Sequence, residues 1–219
     1  MDKLTMRWLG HACFALTSAD YHLVLDPYGD GTVPGLPDLQ VAANEVLCSH
    51  GHRDHCGMDR VMMLLNLRHS PFTVTALPSW HDPEQGALRG ENTIHLITCG
   101  DLRVAHLGDL GHIPEEEPCA ALTGLDALMI PVGGHYTIGP EEARTLVQRL
   151  QPRVVLPMHY RGDDFGYEEI GRGEDFWRGA DSLCFCAGDT LELTKDTPAG
   201  VVVLRPGSKL MAEAACTHT

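Results

Sequence analysis

The sequence predicts an α/β protein with sheets covered by outer helices, on three observations. Apolar runs of strand length recur along the chain, broken by glycine, proline and small polar residues. One segment after Pro140 carries its apolar residues at helical spacing instead. Three of the apolar runs end near histidine or aspartate, so reactive side chains gather where strands stop.

Taken in order, runs at 4–9, 12–16 and 21–25 read as antiparallel strands, with Gly10 and Ser18-Ala19-Asp20 as the breaks. Val46-Leu47-Cys48 ends a further strand near Ser49, and a helix is expected over 59–67. Strands follow near 72–77, 93–98, 102–107 and 127–132. Pro140-Glu141-Glu142 opens the clearest helix. Proline loses no hydrogen bond in a first turn, and the two acids face the positive end of the helix dipole. Ala143, Leu146, Val147 and Leu150 then share one buried face. Strands near 153–158, 182–186, 190–194 and 201–204 complete the set. The chain has 219 residues, no linker and no low-complexity run, so 1–219 reads as a single domain with one sizeable core.

Thirty acidic against sixteen basic residues give a formal charge of −14. Such a field repels polyanions and argues against nucleic acid as a partner. A small anionic substrate stays compatible, because bound dications reverse the potential locally. Eight cysteines scattered through apolar stretches read as buried thiols rather than a disulfide scaffold. Cys184 and Cys186 would share one strand face, and Cys56 is expected to pack. The segment 1–7 lacks the apolar core of a signal peptide, and no run approaches the ~20 apolar residues of a membrane span. A reducing cytoplasm is the expected location. Nothing in the composition sets the oligomeric state.

The densest chemistry lies in Ser49-His50-Gly51-His52-Arg53-Asp54-His55-Cys56-Gly57. Three imidazoles and a carboxylate directly after an apolar strand are costly near a core unless a divalent cation collects them. His with Asp suits zinc first, then manganese or iron. On extended backbone His50 and His52 point the same way and can chelate one ion. Asp54 and His55 follow on a turn and face a second position beside it. Asp109 closes Val104-Ala105-His106-Leu107-Gly108-Asp109, and His159 closes Val154-Val155-Leu156-Pro157-Met158-His159. Both therefore stand, like His50, at the end of a hydrophobic strand.

This pattern resembles the metallo-beta-lactamase superfamily of metallohydrolases. The resemblance extends from Trp8-Leu9-Gly10-His11-Ala12-Cys13-Phe14 through Leu25-Asp26-Pro27-Tyr28, the His-rich loop, His106-Leu107-Gly108-Asp109 and Ile130-Pro131-Val132-Gly133-Gly134 to Pro157-Met158-His159-Tyr160. It is most similar to the small single-domain members grouped with the ascorbate-phosphate lactonase-like and N-acyl-phosphatidylethanolamine phospholipase D-like branch. The resemblance implies a four-layer αββα sandwich of two mixed sheets flanked by helices. It implies two divalent metal ions: one on His50, His52 and a later histidine, the other on Asp54, His55 and His159, with Asp109 bridging. His81 in Ser79-Trp80-His81-Asp82 is the chosen later ligand, with Asp82 positioned to orient an imidazole; His112 is the alternative.

The expected reaction is hydrolysis of a small ester, lactone or phosphodiester by a metal-activated hydroxide, with Asp54 and Asp109 serving the nucleophile. His135, in the loop after the run 127–132, is expected either to contact substrate and steady developing charge or to serve the loop alone, and Tyr136 is the alternative for protonating or steadying the leaving group. His11 either supports the site or is a satisfied core histidine, and His106 reads as a core or supporting residue. His22, His69, His95 and His218 read as exposed or hydrogen-bonded at the surface. Arg89, in a loop expected over 82–92, reads as solvating the surface rather than clamping an anion. An iron-dependent redox enzyme and a non-catalytic metal-binding module are the competing readings. An RNA-processing nuclease would need a basic patch that the chain lacks.

Overall fold

A computed structural model describes residues 3–65 and 69–207. Three antiparallel strands open the chain: β1 (Leu4–Gly10), β2 (Cys13–Ser18) and β3 (Tyr21–Leu25). Alternation explains β1, where Leu4, Met6 and Trp8 are buried and Thr5 and Arg7 are half-buried between them. β4 (Val41–Ala43) and β5 (Glu45–Leu47) follow. β5 lies parallel to β3 with Leu47 opposite Leu25, which brings the segments just beyond both strands together.

The expected helix over 59–67 does not form. A single 3-10 turn at Met58–Arg60 runs directly into β6 (Val61–Met63), which pairs in parallel with β4 as a separate ribbon. Gly57 supplies no side-chain cap, and only Val61 of this strand is buried. Without a cap or a face to bury, the backbone satisfies itself against β4 instead. Residues 66 and 67 of that expected helix lie outside the described residues.

The remaining elements build a second sheet and its cover. They are β7 (Phe72–Trp80), β8 (Glu91–Cys99), β9 (Leu102–His106), α1 (Glu116–Ala121), β10 (Ala127–Pro131), α2 (Pro140–Leu150), β11 (Val154–Met158), α3 (Glu174–Trp177), β12 (Leu183–Phe185), β13 (Thr190–Leu193) and β14 (Gly200–Val203). Seven strands form this sheet in the order β12-β14-β11-β10-β9-β8-β7. β10 and β11 are buried at every residue, as parallel strands covered on both faces must be. β13 departs to pair with β1, giving the other sheet the order β13-β1-β2-β3-β5.

The main core lies between the sheets, where Met6, Trp8, Phe14 and Leu25 meet Ile94, Val104, Leu128 and Ile130 in one cluster. α2 joins it through Ala143, Leu146 and Leu150, the face the spacing predicted. A smaller cluster of Leu9, Cys13, Ala15, Val24, Tyr28, Val33, Leu39, Val41, Ala43 and Val61 lies elsewhere and contains no helical residue. The α/β sandwich is therefore present, with the smaller cluster covered by the segment 27–43 and β6 rather than by a described helix. α1 and α3 were not foreseen, being too short to show helical periodicity.

Candidate metal centre

One rim of the sandwich collects the residues that follow the C-terminal ends of its strands. His11 follows β1, Asp26 follows β3, the segment His50–His55 follows β5, and His81 follows β7. Asp109 lies just beyond β9, and His159 directly follows β11. The backbone turns sharply there. His11, Asp26, His135 and His159 adopt positive φ of 52°, 45°, 61° and 51°, a conformation that non-glycine residues rarely adopt outside strained functional turns. Gly108, at φ +56°, permits the turn into Asp109, since a β-carbon there would strike Asn92 Oδ1 and the Ser49 side chain.

Among the described residues, three overlapping groups of ligand atoms form, one of them (Asp26, His50 and His55) linking the other two. Those of His50, His52 and His81 lie within 4.8 Å of one another, and so do those of His11, Asp54, His55 and His159. Asp109 stands between them, its Oδ2 at 3.1 Å from His55 Nε2 and at 3.3 Å from both His81 Nε2 and His159 Nε2. All seven ligands anticipated from the sequence therefore converge. His81 rather than His112 completes the first group. His112 instead lies at the β7 terminus, where its Nε2 accepts the Trp80 N–H at 3.3 Å.

These residues fit a divalent cation. Asp109 is 2% exposed, and its Oδ1 has no hydrogen-bond partner. Burial holds His11 down at about 4 and His50 at about 3, with neighbouring imidazoles adding to the effect. Burial likewise lowers His81. Burial opposes the charge on Asp54 and Asp109, yet surrounding histidines outweigh it and keep both carboxylates ionised. Neutral imidazole and ionised carboxylate are the forms that bind metal. His55 differs: against burial, Asp109 and Asp26 raise it well above its ordinary value.

Supporting contacts hold the ligands in place. Asp26, fully buried, accepts from Ser49 N–H and Ser49 Oγ at 2.6 Å each, and its Oδ2 lies 2.8 Å from His55 Nδ1. Burial raises the Asp26 carboxyl, but His106, His55 and Ser49 bring it down to about 2. This carboxylate–imidazole pairing fixes which nitrogen of His55 faces the centre. Asn92 accepts the Asp109 N–H at 2.9 Å and donates to Leu107 O. His11 Nε2 lies 3.2 Å from Asp54 Oδ2, while the His11 carbonyl accepts from Trp8 Nε1 and His159 N–H. His11 thus lies among the ligand atoms of the group that holds Asp54, His55 and His159.

A cavity of about 330 Å³ opens beside the centre, lined by His52, Asp54, His81, Arg89, Asp109, Tyr136, His159 and Tyr167. His135 is exposed and stacks edge-on against Tyr136 with centroids 4.5 Å apart; Tyr136 lines the cavity and His135 does not. Tyr167, unforeseen from the sequence, hydrogen-bonds to Thr32 O at 2.7 Å and lies 3.2 Å from Asp54 Oδ2. Burial raises its phenol far above the usual range, so it stays a hydroxyl.

Other expectations need revision. Asp82 orients no imidazole; its oxygens accept four backbone N–H groups of the loop 84–89. Arg89 is half-buried at the cavity wall rather than solvating the surface. His95 is buried on β8 with an unpartnered Nδ1, and burial lowers it to about 4. His106 is the satisfied core residue expected, with Nε2 2.8 Å from Ala12 O. His22 bonds Thr17 Oγ1 and His69 is exposed, while His218 lies outside the described residues. Cys48 and Cys56 form a disulfide across the His-rich loop, with Cα atoms 5.4 Å apart. That pairing removes two cysteines from the argument for a reducing compartment. Among the described residues, no helix is long and apolar enough to cross a membrane.

The sandwich with a histidine–aspartate rim defines a class of metallohydrolase. A family model described as the beta-lactamase superfamily domain matches residues 5–159, and the chain belongs to that family. It is a metal-dependent hydrolase of the metallo-beta-lactamase superfamily. A UPF0173 metal-dependent hydrolase of Desulforamulus reducens is 30% identical over 193 residues, which cover 72% of this chain and 84% of the relative. A crystal structure from the same superfamily in Thermotoga maritima is 30% identical, covers 92% of this chain and 98% of that one, and superposes with a TM-score of 0.73. The fold alone is shared with CmlA, a diiron beta-hydroxylase from Streptomyces venezuelae (18% identity, TM-score 0.50, covering 73% of this chain and 45% of that one).

Proposed function

We propose that the protein hydrolyses a small ester, lactone or phosphodiester with two divalent metal ions at this rim, zinc by preference and manganese or iron as alternatives. The observation that carries the reading is Asp109 Oδ2, which lies 3.1–3.3 Å from imidazoles of both ligand groups. A single buried carboxylate at that junction suits a bridge between two cations. His50, His52 and His81 would hold one ion; Asp54, His55 and His159 would hold the other. When bound, such a pair lowers the pKa of a shared water to near neutrality and polarises the bond under attack.

The chain's own groups then have definable tasks. Asp109 and Asp54 stay ionised and present oxygen to the centre and to the attacking water's proton. Tyr167 and His11 hold Asp54 from two sides, limiting it to one orientation. Tyr136 and Tyr167 wall the cavity, and burial keeps the Tyr167 hydroxyl protonated as a donor at neutral pH. Its volume of about 330 Å³ suits a metabolite rather than a polymer.

The test is hydrolysis of 4-nitrophenyl acetate, a γ-lactone and bis(4-nitrophenyl) phosphate by protein reconstituted with zinc, manganese or iron. Turnover of at least one compound, lost on chelation and restored by metal, is expected. Inactivity on all three with every metal, or turnover that survives Asp109→Asn, would overturn the reading. Oxygen consumption by the iron form without hydrolysis would favour redox chemistry instead.

A further inference from the structure

We propose that Arg89, backed by Tyr136, forms an anion subsite beside the metal rim, so that the substrate carries a carboxylate or phosphate group next to the bond that breaks. This inference rests on the hydrolase reading and specifies its substrate class.

Arg89 shares the cavity wall with His52, Asp54, His81 and Asp109. Its guanidinium carbon sits 5.6 Å from the Tyr136 ring centroid. A guanidinium held over a ring face keeps the N–H groups along its edge available for a two-point grip on an oxyanion. Several other arginines of this acidic chain are engaged: Arg53 with Asp59, Arg60 with Asp30 and Asp59, Arg153 with Asp126. Among the described residues, the Arg89 side chain has no carboxylate or carbonyl partner. The ion pairs of the site acids are with histidines instead: Asp54 with His11 and His55, and Asp109 with His55, His81 and His159.

The loop that carries Arg89 is built rather than loose. Asp82, with no exposed surface, accepts from Glu84 N–H at 2.8 Å and Gly86 N–H at 3.1 Å through one oxygen. Its other oxygen accepts from Leu88 N–H at 3.1 Å and Arg89 N–H at 2.7 Å. His81 N–H closes the loop on Gly90 O at 3.0 Å. Gly86 at φ +82° packs against Trp80 and the Gly90 backbone, leaving no room for a side chain. A metal-rim histidine and the arginine are therefore joined by one short, internally bonded segment. Preorganisation of this kind lowers the ordering cost of gripping a ligand.

The experiment compares three 4-nitrophenyl esters that share a leaving group, using zinc-loaded protein: the acetate (neutral), the hemisuccinate (carboxylate) and the phosphonoacetate. The wild type should prefer at least one anionic ester in kcat/KM. Arg89→Gln should reduce that anionic-over-neutral ratio about ten-fold or more, the loss of a charge-assisted hydrogen bond, and Arg89→Lys should restore part of it. The two anionic arms decide between carboxylate and phosphate. A ratio unchanged in Arg89→Gln, with metal content equal to wild type, overturns the proposal. If no ester is cleaved, the substrate is not an ester of this kind, and the lactone and phosphodiester screen decides the hydrolase reading separately. Calorimetric titration of succinate and inorganic phosphate into the zinc-loaded wild type and Arg89→Gln then decides the subsite alone. Binding lost in the variant supports it, and binding absent from the wild type or equal in both overturns it.

Discussion

Asp26 shows how one buried side chain sets the geometry of a neighbour it does not resemble in sequence position. Two donors from Ser49 and one imidazole edge converge on it, which leaves the far nitrogen of His55 aimed at Asp109. Asp26→Asn keeps the shape but removes the charge, and supporting carboxylates of this kind are worth about 10–100-fold in metal affinity. Competition with a chromophoric chelator should show that loss; affinity equal to wild type would contradict it. The ligands His50, His52, Asp54 and His55 were legible because they are local and dense. Asp109 and His159 were legible because each ends an apolar strand. Asp26 and Tyr167 were not, and His11 and Arg89 stayed open between two readings, since each acquires its task only when strands and loops distant in sequence come into register. His135 illustrates the limit: the loop reaches the correct rim, but its left-handed turn leaves Tyr136 rather than His135 on the cavity wall.

The His-rich loop is an element defined by both ends. Cys48 and Cys56 close it as a disulfide, a pairing that spacing did not announce because the seven intervening positions carry the metal chemistry and its turns. Thiol titration of denatured, unreduced protein should find six reactive groups of the eight cysteines, and eight would contradict the bridge. Replacing both by serine should lower stability by about 2–3 kcal/mol, the loop-closure value for a ring of this size. α2 was fully legible, from its proline and acids to its apolar face. Leu146, fully buried, should cost about 2–5 kcal/mol when cut to alanine, read as a shift in denaturant midpoint. β6 was misjudged because Val61-Met62-Met63 is apolar without being periodic, and pairing with β4 settles such a run.

Across the whole molecule, the end opposite the metal rim is tied by Asp126. Just ahead of β10, it accepts from the Arg103 N–H of β9, from Arg153 just ahead of β11, and from Lys195 just beyond β13 of the other sheet. Burial raises this carboxyl, but Lys195, the Arg103 N–H and Arg153 outweigh it and hold it below its ordinary 3.8. A carboxylate with a lowered folded pKa stabilises the protein above about pH 4 and loses that contribution as pH falls through the folded value. Asp126→Asn should thus lower stability by about 1–3 kcal/mol at neutral pH and make the acid limb of the stability curve shallower. An unchanged acid limb would count against the clamp. The two-sheet arrangement itself was readable from the order of apolar runs. The crossing of β13 to the first sheet was not, because pairing partners leave no mark in a strand of four residues.

The account turns on whether two ions occupy one rim with a shared carboxylate. X-ray absorption on zinc-reconstituted protein, with metal content measured on the same sample, tests this most directly. It should find two ions per chain and a metal–metal vector near ~3.5–4 Å, with Asp109→Asn losing that vector. One ion per chain, or two without a metal–metal vector, would contradict it.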